Sequence, residues 1–168
     1  VGSEMCIRDR NFPIAIPAWK IAPALAHGNT VVLKPSEITP TSAYYLTKIM
    51  EEAGLPAGVF NLLVAKGEDV GEALVSHPAV AGISFTGSVP TGRKIALGAI
   101  QHMKKIQMEM GGKNPMVIMD DADLDIAIPV TVNGAFYQTG QRCTASSRVI
   151  VHEKIYDSFV ERFIAEME

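Results

Sequence analysis

The sequence predicts an α/β fold in which a parallel sheet is covered by helices on both faces. Apolar runs of strand length, such as Val31-Val32-Leu33, alternate along the chain with helical segments. Turn residues separate the two kinds of segment: Pro35 closes a strand and Gly54 ends a helix. Strands that alternate with helices in this way form βαβ units, whose parallel strands are buried on both faces.

Each element follows from its own local pattern. A helix is predicted where an opening signal precedes a helical stretch, as Thr39-Pro40-Thr41 does. Pro129 must kink the helix that contains it or mark its early turn. The predicted strands are residues 30–34, 59–64, 80–85, 105–110, 116–119 and 148–152. The predicted helices are residues 18–27, 42–53, 68–76, 91–101, 123–137 and 155–168.

Length and composition exclude several classes of protein. A chain of 168 residues is one domain or parts of two, and its 48% hydrophobic and 20% charged residues are typical of globular rather than disordered proteins. A formal charge of −3 gives no basic field for nucleic acid or an anionic membrane. No apolar run approaches the roughly 18 residues that span a bilayer. Cys6 and Cys143 are too few for a disulfide scaffold, so we expect a reducing cytoplasm.

The two ends of the chain differ from what lies between them. Residues 1–10 have neither a signal-peptide core nor a transit-peptide pattern, and the composition becomes Pro-rich and apolar at Asn11. We expect this decapeptide to be a foreign segment, so Cys6 is not counted as functional. The helical pattern over 155–168 stops without a Gly or Pro signal, which suggests truncation there.

The turn Phe85-Thr86-Gly87-Ser88 leads from a strand into a helix. Ligands of parallel sheets bind beyond the carboxyl ends of the strands, and free N–H groups at a helix start bind phosphate. The segment 87–94 nearly matches a phosphate loop but has Arg93-Lys94 where Lys followed by Ser or Thr is required. Taken alone, this turn is more typical of an ordinary helix start.

Lys34 and Glu37 stand three residues apart after another strand. A lysine there can reach a ribose hydroxyl or a phosphate, and a glutamate can accept both ribose hydroxyls of an adenosine. The other interpretation is a solvated ion pair, which the spacing alone favours.

Glu109 and Cys143 are the candidates for chemistry. Glu109 lies between two methionines at the end of an apolar strand. Partial burial would suit a general base there, whereas an edge-strand position would leave the carboxylate exposed. Cys143 lies in a Gly-containing turn, as a buried inert thiol or as a nucleophile activated by a helix start or a cation. The four histidines show no metal-ligand spacing, and no metal site is predicted.

Together and in this order, the motifs resemble those of the NAD(P)-dependent aldehyde dehydrogenase superfamily, from Asn11 to the last residue. The cofactor half has three similar segments: Asn11-Phe12-Pro13 for the oxyanion asparagine, Lys34-Pro35-Ser36-Glu37 for the adenosine ribose, and Phe85-Thr86-Gly87-Ser88 for the pyrophosphate. The chemical half has two: Glu109-Met110-Gly111-Gly112-Lys113 for the general base, with Met110 where Leu is usual, and Gly140-Gln141-Arg142-Cys143 for the nucleophile. The resemblance reverses the plainer interpretations of Cys143, Glu109, Lys34 and Glu37.

The resemblance implies a Rossmann-like parallel sheet with helices on both faces, of the aldehyde dehydrogenase type and truncated. It implies the second half of the dinucleotide-binding domain at residues 11–110 and the start of the catalytic domain at 111–168. The implied cofactor is NAD or NADP. The implied site consists of catalytic Cys143, Glu109 and Asn11 and of cofactor-binding Lys34, Ser36, Glu37, Gly87, Ser88 and Gly111.

The implied reaction is the oxidation of a small-molecule aldehyde to the carboxylic acid in the full-length parent, through a cysteine thiohemiacetal and thioester. We expect the parent to be a homo-oligomer and the isolated fragment to be inactive or poorly folded. Segments 13–17, 108–115 and 142–148 are most similar to α-ketoglutaric semialdehyde (2,5-dioxopentanoate) dehydrogenases. The alternatives are succinate semialdehyde or betaine aldehyde dehydrogenases, or a non-catalytic nucleotide-binding remnant. Arg142 either assists a dicarboxylate-forming substrate or lowers the pKa of the thiol, or it points into a domain interface.

Overall fold

The computed structural model describes residues 3–7 and 11–168 of the chain, with side chains described from Asn11 onward. The chain divides into two compact units, Val1–Met110 and Gly111–Glu168, called unit 1 and unit 2 below.

Unit 1 is built on a five-stranded parallel sheet. The strand order is β3-β2-β1-β4-β5, and every neighbouring pair runs parallel. The strands are β1 (Ser3–Ile7), β2 (Thr30–Lys34), β3 (Phe60–Leu62), β4 (Val80–Gly87) and β5 (Lys105–Met110). The predicted parallel α/β architecture is therefore confirmed.

The central strand of this sheet comes from the decapeptide that the sequence sets apart. β1 pairs with β2 on one side and with β4 on the other. Ladder hydrogen bonds use only backbone N–H and C=O groups, so a segment of any origin with extended backbone can occupy such a place. That residues 1–10 are foreign stays a prediction.

Four helices cover the sheet of unit 1. They are α1 (Ala15–Ala26), α2 (Pro40–Glu52), α3 (Gly67–Ser76) and α4 (Val89–Gln101). Pro40 stands in the first turn of α2, where its missing N–H costs nothing. Gly28 and Gly54 follow α1 and α2 with φ of 75° and 87°, which the left-handed end of a helix requires.

The helices pack on opposite faces of the sheet. Leu33 and Ser84 share one register position, since each pairs with residue 6 of β1, so their side chains point to one face, and Phe85 points to the other. The first face holds a cluster from α1, α2 and β2: Ile21, Ala24, Val31, Leu33 and Ala43. The second holds a cluster from α3, α4 and β4: Val75, Val80, Ile83, Phe85, Ile95 and Ala99. Both faces of unit 1 are covered, as the apolar strands predict.

Unit 2 pairs a two-stranded parallel sheet with two helices. Its elements are β6 (Asn114–Ile118), α5 (Leu124–Phe136), β7 (Ser146–Val151) and α6 (Tyr156–Met167), with short 3-10 turns at Tyr137–Gly140 and Glu153–Ile155. Its buried cluster is Ile118, Ile128 and Phe159. Asp123 caps α5 by accepting a hydrogen bond from the N–H of Asp125 at 2.9 Å. Pro129 lies inside α5, which continues through it.

Candidate active site

One edge of the sheet in unit 1 carries most of the predicted site residues. All five strands run parallel, so their carboxyl ends meet at the same edge. Lys34 is the last residue of β2, Gly87 ends β4, and Glu109 pairs with Thr86 near the end of β5. Asn11 is exposed and lies between β1 and α1. Backbone register therefore places Lys34, Gly87 and Glu109 along a common edge.

Lys34 is buried, with 3% of its surface exposed. Its Nζ donates a hydrogen bond to the carbonyl of Pro35 at 2.7 Å and lies 3.8 Å from Oε2 of the exposed Glu37. A Cβ added to Gly67 would lie 3.9 Å from Lys34 Cε, so the lysine stem passes the start of α3. Burial lowers the pKa of Lys34, and the Glu37 carboxylate opposes that shift in part. A fully solvated ion pair, the plainer sequence interpretation, is therefore excluded.

Ser36 is buried beside this lysine. Its Oγ accepts a hydrogen bond from the N–H of Ile38 at 3.3 Å. This contact shapes the turn that carries Glu37 outward into solvent.

The turn between β4 and α4 is closely packed. A Cβ on Gly87 would lie 2.6 Å from the ring of Phe85, and a Cβ on Gly92 would lie 2.5 Å from Met110 Sδ. Ser88 is the N-cap of α4, and its Oγ accepts from the N–H of Thr91 at 3.4 Å. The backbone of this turn can approach a ligand because no side chain stands at Gly87.

Thr86 adds a polar group at the same turn. Only 4% of its surface is exposed, and among the described residues its Oγ1 has no hydrogen-bond partner. A buried hydroxyl without a partner is costly, which marks a place where a ligand atom would be stabilised.

Glu109 belongs to a hydrogen-bonded chain on the α1 face of the sheet. Its Oε1 accepts from Gln107 Nε2 at 3.0 Å. Gln107 Oε1 accepts from Lys20 Nζ at 2.8 Å and from Ser84 Oγ at 2.5 Å, and Lys20 Nζ also donates to Ser84 Oγ at 2.7 Å. Of the two interpretations of Glu109, the structure has the exposed edge-strand position, because the residue is exposed on β5 at the end of the sheet order.

The sequence interpretation did not include Gln107, Ser84 or Lys20. Period-two alternation along β5 places Gln107 and Glu109 on one face, so the strand pattern could have suggested this pair. Ser84 is opposite Gln107 only through the pairing of β4 with β5. Lys20 reaches both from α1, and no local signal in the sequence indicates that contact.

Cys143 is an exposed free thiol in unit 2. Its backbone carbonyl accepts a hydrogen bond from Asn114 Nδ2 at 2.6 Å, and the same amide donates to the carbonyl of Ala145 at 3.1 Å. The buried inert thiol that a lone cysteine would suggest is therefore excluded. Gly111 is the first residue of unit 2 and is also exposed.

Arg142 turns back onto α5. Its Nη2 donates to the carbonyls of Asn133 at 2.6 Å and Gly134 at 3.2 Å, and its Cζ lies 5.0 Å from the ring centroid of Tyr137. Its Nε is buried and has no partner among the side and main chains that the structure describes. The guanidinium thus contacts the carboxyl end of a helix in its own unit.

The described residues contain neither a grouped set of metal ligands nor a helix that could span a membrane. Across residues 3–7 and 11–168, no three His, Cys, Asp or Glu residues are grouped to hold a metal ion. No helix in this part of the chain has the length and apolar character to cross a bilayer.

The family model "Aldehyde dehydrogenase family" matches residues 1–168. The chain belongs to the aldehyde dehydrogenase family. It is 48% identical over 164 residues to human 2-aminomuconic semialdehyde dehydrogenase, covering 98% of this chain and 34% of that protein. It is 50% identical over 154 residues to the α-ketoglutaric semialdehyde dehydrogenase of Bacillus subtilis, covering 92% of this chain and 32% of that protein.

A solved aldehyde dehydrogenase shares the fold. The crystal structure of betaine aldehyde dehydrogenase from Staphylococcus aureus in complex with NAD+ superposes with a TM-score of 0.85 at 41% identity. The match covers 98% of this chain and 33% of that one. The chain thus spans about a third of the length of the aldehyde dehydrogenases that it matches.

Proposed function

We propose that the full-length parent oxidises an aldehyde to the carboxylic acid with NAD(P)+, using Cys143 as the nucleophile. The family match over the whole chain supports this proposal. The observation that carries it is the exposed thiol of Cys143 in the motif Gly140-Gln141-Arg142-Cys143. An exposed thiol on a hydrogen-bonded loop can meet a substrate, which a core cysteine cannot.

The first step uses Cys143 and Asn11. The Cys143 thiolate attacks the aldehyde carbon, and the C–S bond forms as the carbonyl π pair moves onto oxygen. The resulting oxyanion would accept hydrogen bonds from the side-chain amide of Asn11 and the backbone N–H of Cys143. The product is a thiohemiacetal on Cys143.

Unit 1 has groups suited to a dinucleotide. The buried ammonium of Lys34 and the exposed carboxylate of Glu37, next to Ser36, would hold the adenosine ribose, and Gly87 and Ser88 would receive the pyrophosphate at the start of α4. The hydroxyl of Thr86 and the bare backbone of Gly87 support this fit. When bound, the nicotinamide would accept the hydride of the thiohemiacetal.

Gly111 is the last residue of the proposed cofactor site, and Glu37 and Lys34 bear on the choice between NAD and NADP. We place Gly111 among the cofactor-binding residues because it follows the Glu109-Met110 pair in the matched motif. Glu37 would repel a 2′-phosphate and favours NAD, whereas Lys34 would tolerate NADP.

The last step uses Glu109. Its carboxylate takes a proton from water, and the water oxygen attacks the thioester that remains on Cys143. The C–S bond then breaks, which releases the carboxylic acid and restores the thiolate. The hydrogen bond from Gln107 Nε2 to Oε1 would orient the Glu109 carboxylate for this step.

The substrate that we favour is a semialdehyde such as 2,5-dioxopentanoate. The similarity to the α-ketoglutaric semialdehyde dehydrogenase of Bacillus subtilis supports this class, and human 2-aminomuconic semialdehyde dehydrogenase also acts on a semialdehyde by its name. From the family resemblance and the cysteine count, we also propose a cytoplasmic homo-oligomer.

The proposal is tested on the purified full-length protein. Reduction of NAD+ and of NADP+ is followed with 2,5-dioxopentanoate, succinate semialdehyde, 2-aminomuconate semialdehyde and betaine aldehyde in parallel. We expect turnover of at least one semialdehyde. Binding of NAD+ without oxidation of any aldehyde would instead support a non-catalytic nucleotide-binding remnant.

A further inference from the structure

The backbone on both sides of Cys143 is held by side chains of unit 2. Before the cysteine, Arg142 Nη2 donates to the carbonyls of Asn133 and Gly134 at the end of α5. At and after the cysteine, Asn114 Nδ2 donates to the carbonyls of Cys143 and Ala145. The thiol therefore lies between an anchor on α5 and an anchor on β6.

The backbone that precedes these anchors is strained. Gln138 and Thr139 have φ of 53° and 55°, the left-handed region that costs free energy for residues other than glycine. Gly140 follows with φ of 68°, and a Cβ there would lie 2.9 Å from the carbonyl oxygen of Ala135. Such a turn persists only where surrounding contacts determine it. The Arg142 hydrogen bonds to the nearby end of α5 are contacts of this kind.

The environment of Arg142 suits a guanidinium in particular. The carboxyl end of α5 presents carbonyls and the negative end of the helix dipole, and the ring of Tyr137 faces the cation. Arg142 Nη2 donates to both carbonyls while the planar guanidinium lies over the Tyr137 ring. A lysine ammonium can donate to carbonyls too, but it is a compact, strongly hydrated point charge and does not combine those bonds with stacking on the ring. The charge of Arg142 is thus engaged with protein groups.

We propose that Asn114 and Arg142 are positioning residues that hold the backbone on either side of Cys143, and that Arg142 is not a receptor for a substrate carboxylate. The inference rests on the proposed role of Cys143 as nucleophile. Holding the loop matters because a displacement of about 1 Å of a reacting group can cost roughly a hundred-fold in rate.

The experiment compares the full-length protein with its Arg142→Met, Arg142→Lys and Asn114→Leu variants. Hydrogen exchange is measured over residues 137–145. Alkylation of Cys143 by neutral iodoacetamide and by anionic iodoacetate is followed by mass spectrometry of the Cys143 peptide, well below the unfolding temperature. The matched control is Arg162→Met, which removes the ion pair with Asp125 at the opposite end of α5.

We expect all three variants to exchange several-fold faster over residues 137–145 and to change the alkylation rate of Cys143 several-fold. The alkylation rates with the two reagents should change by the same factor, and the melting temperature should stay close to that of the unsubstituted protein. Arg142→Lys should not restore slow hydrogen exchange in the loop. Arg162→Met should leave exchange in the loop and alkylation unchanged.

Three results would overturn the inference. The first is a ratio of the iodoacetate rate to the iodoacetamide rate that falls in Arg142→Met and is unchanged in Arg142→Lys. That pattern would indicate a cationic side chain that anions can reach. The second is no change in loop exchange or alkylation in any variant. The third is a lower melting temperature with unchanged alkylation, which a purely structural role would produce. None of these measurements needs turnover, so an inactive parent would contradict the proposed function and leave this inference standing.

Discussion

The sheet edge of unit 1 and the cysteine loop of unit 2 hold their functional groups by different means. Lys34, Gly87 and Glu109 stand at or near the ends of paired strands, so backbone register alone sets their spacing along the edge. Cys143 lies on a loop after a strained turn, and the side chains of Asn114 and Arg142 hold it. Substitution of single side chains should therefore disturb the loop, while the sheet edge should respond to backbone and packing changes.

Removal of the nucleophile should have the largest effect. In the full-length protein, Cys143→Ser should lower aldehyde turnover by at least about a thousand-fold, because the thiolate that forms the covalent intermediate is lost. The rate of cofactor reduction measures this. Glu109→Gln is the companion variant, and it should retain one rapid turnover of cofactor reduction and slow the later release of acid. Normal turnover in Cys143→Ser would contradict the role of the thiol.

Packing at the β4 turn should give the next largest effect. Gly87→Ala places a methyl group 2.6 Å from the buried ring of Phe85 and should lower the free energy of unfolding by about 1–3 kcal/mol. Denaturant unfolding of the 168-residue chain measures this. Gly71→Ala is the matched control, since it lies in α3 with open space around its Cα, and should stabilise by about 0.5–1 kcal/mol. Equal effects of the two variants would disprove the close packing at Gly87.

The buried ammonium of Lys34 should make stability depend on pH. Burial lowers the pKa of Lys34 below its ordinary value of about 10.5, so the unfolded chain binds this proton more tightly than the folded chain. The penalty for the buried charge is complete below the folded pKa and is relieved as pH rises from there toward 10.5. Lys34→Met should therefore raise the melting temperature by a few degrees at neutral pH, with a smaller gain in alkaline buffer.

The control for that pH series is Lys66→Met, because Lys66 is exposed and its pair with Glu68 is long, at 3.9 Å. The melting temperature of Lys66→Met should equal that of the unsubstituted chain at every pH. An advantage of Lys34→Met that grows with rising pH would show the opposite sign and refute the burial argument.

The hydrogen-bonded chain at Glu109 should give the smallest effect. Gln107→Leu removes the amide that links Lys20 to Glu109 and should cost no more than about 1 kcal/mol of unfolding free energy, since these hydrogen bonds are exposed to water. Denaturant unfolding measures this loss. Lys48→Met breaks an exposed pair with Glu51 and should cause no measurable shift of the denaturant midpoint. A larger loss in Lys48→Met than in Gln107→Leu would rule out a stabilising role for the Gln107 link.

The parallel sheet and its turns could be predicted from local patterns. Thr30–Lys34 and Lys105–Met110 are strands at the predicted bounds, because apolar runs closed by turn residues have few other stable arrangements. The predicted strand at 80–85 continues to Gly87, and α4 begins at Val89 rather than Thr91, because Ser88 caps the helix and Pro90 fits its first turn. Short-range hydrogen bonding sets such boundaries within a few residues.

Burial of the charged residues could not be predicted in the same way. Lys34 is buried and Glu109 is exposed, although both stand near the ends of apolar strands. Strand alternation assigns a side chain to a face, but only the packed helices and the strand order decide whether that face is covered. The direction of the Arg142 side chain could not be predicted either, since its partners on α5 are reached only after the chain turns back at Tyr137–Gly140.

By itself, the sequence determined the alternating α/β architecture, the strand-end and turn positions of the candidate residues, and the family that their order resembles. These properties depend on neighbours a few residues apart, whose conformations follow from local sterics and hydrogen bonding. Tertiary structure alone decided the burial of Lys34, the link from Lys20 through Gln107 to Glu109, and the two anchors beside Cys143. Those contacts join residues from different elements, so they exist only once helices and strands have packed.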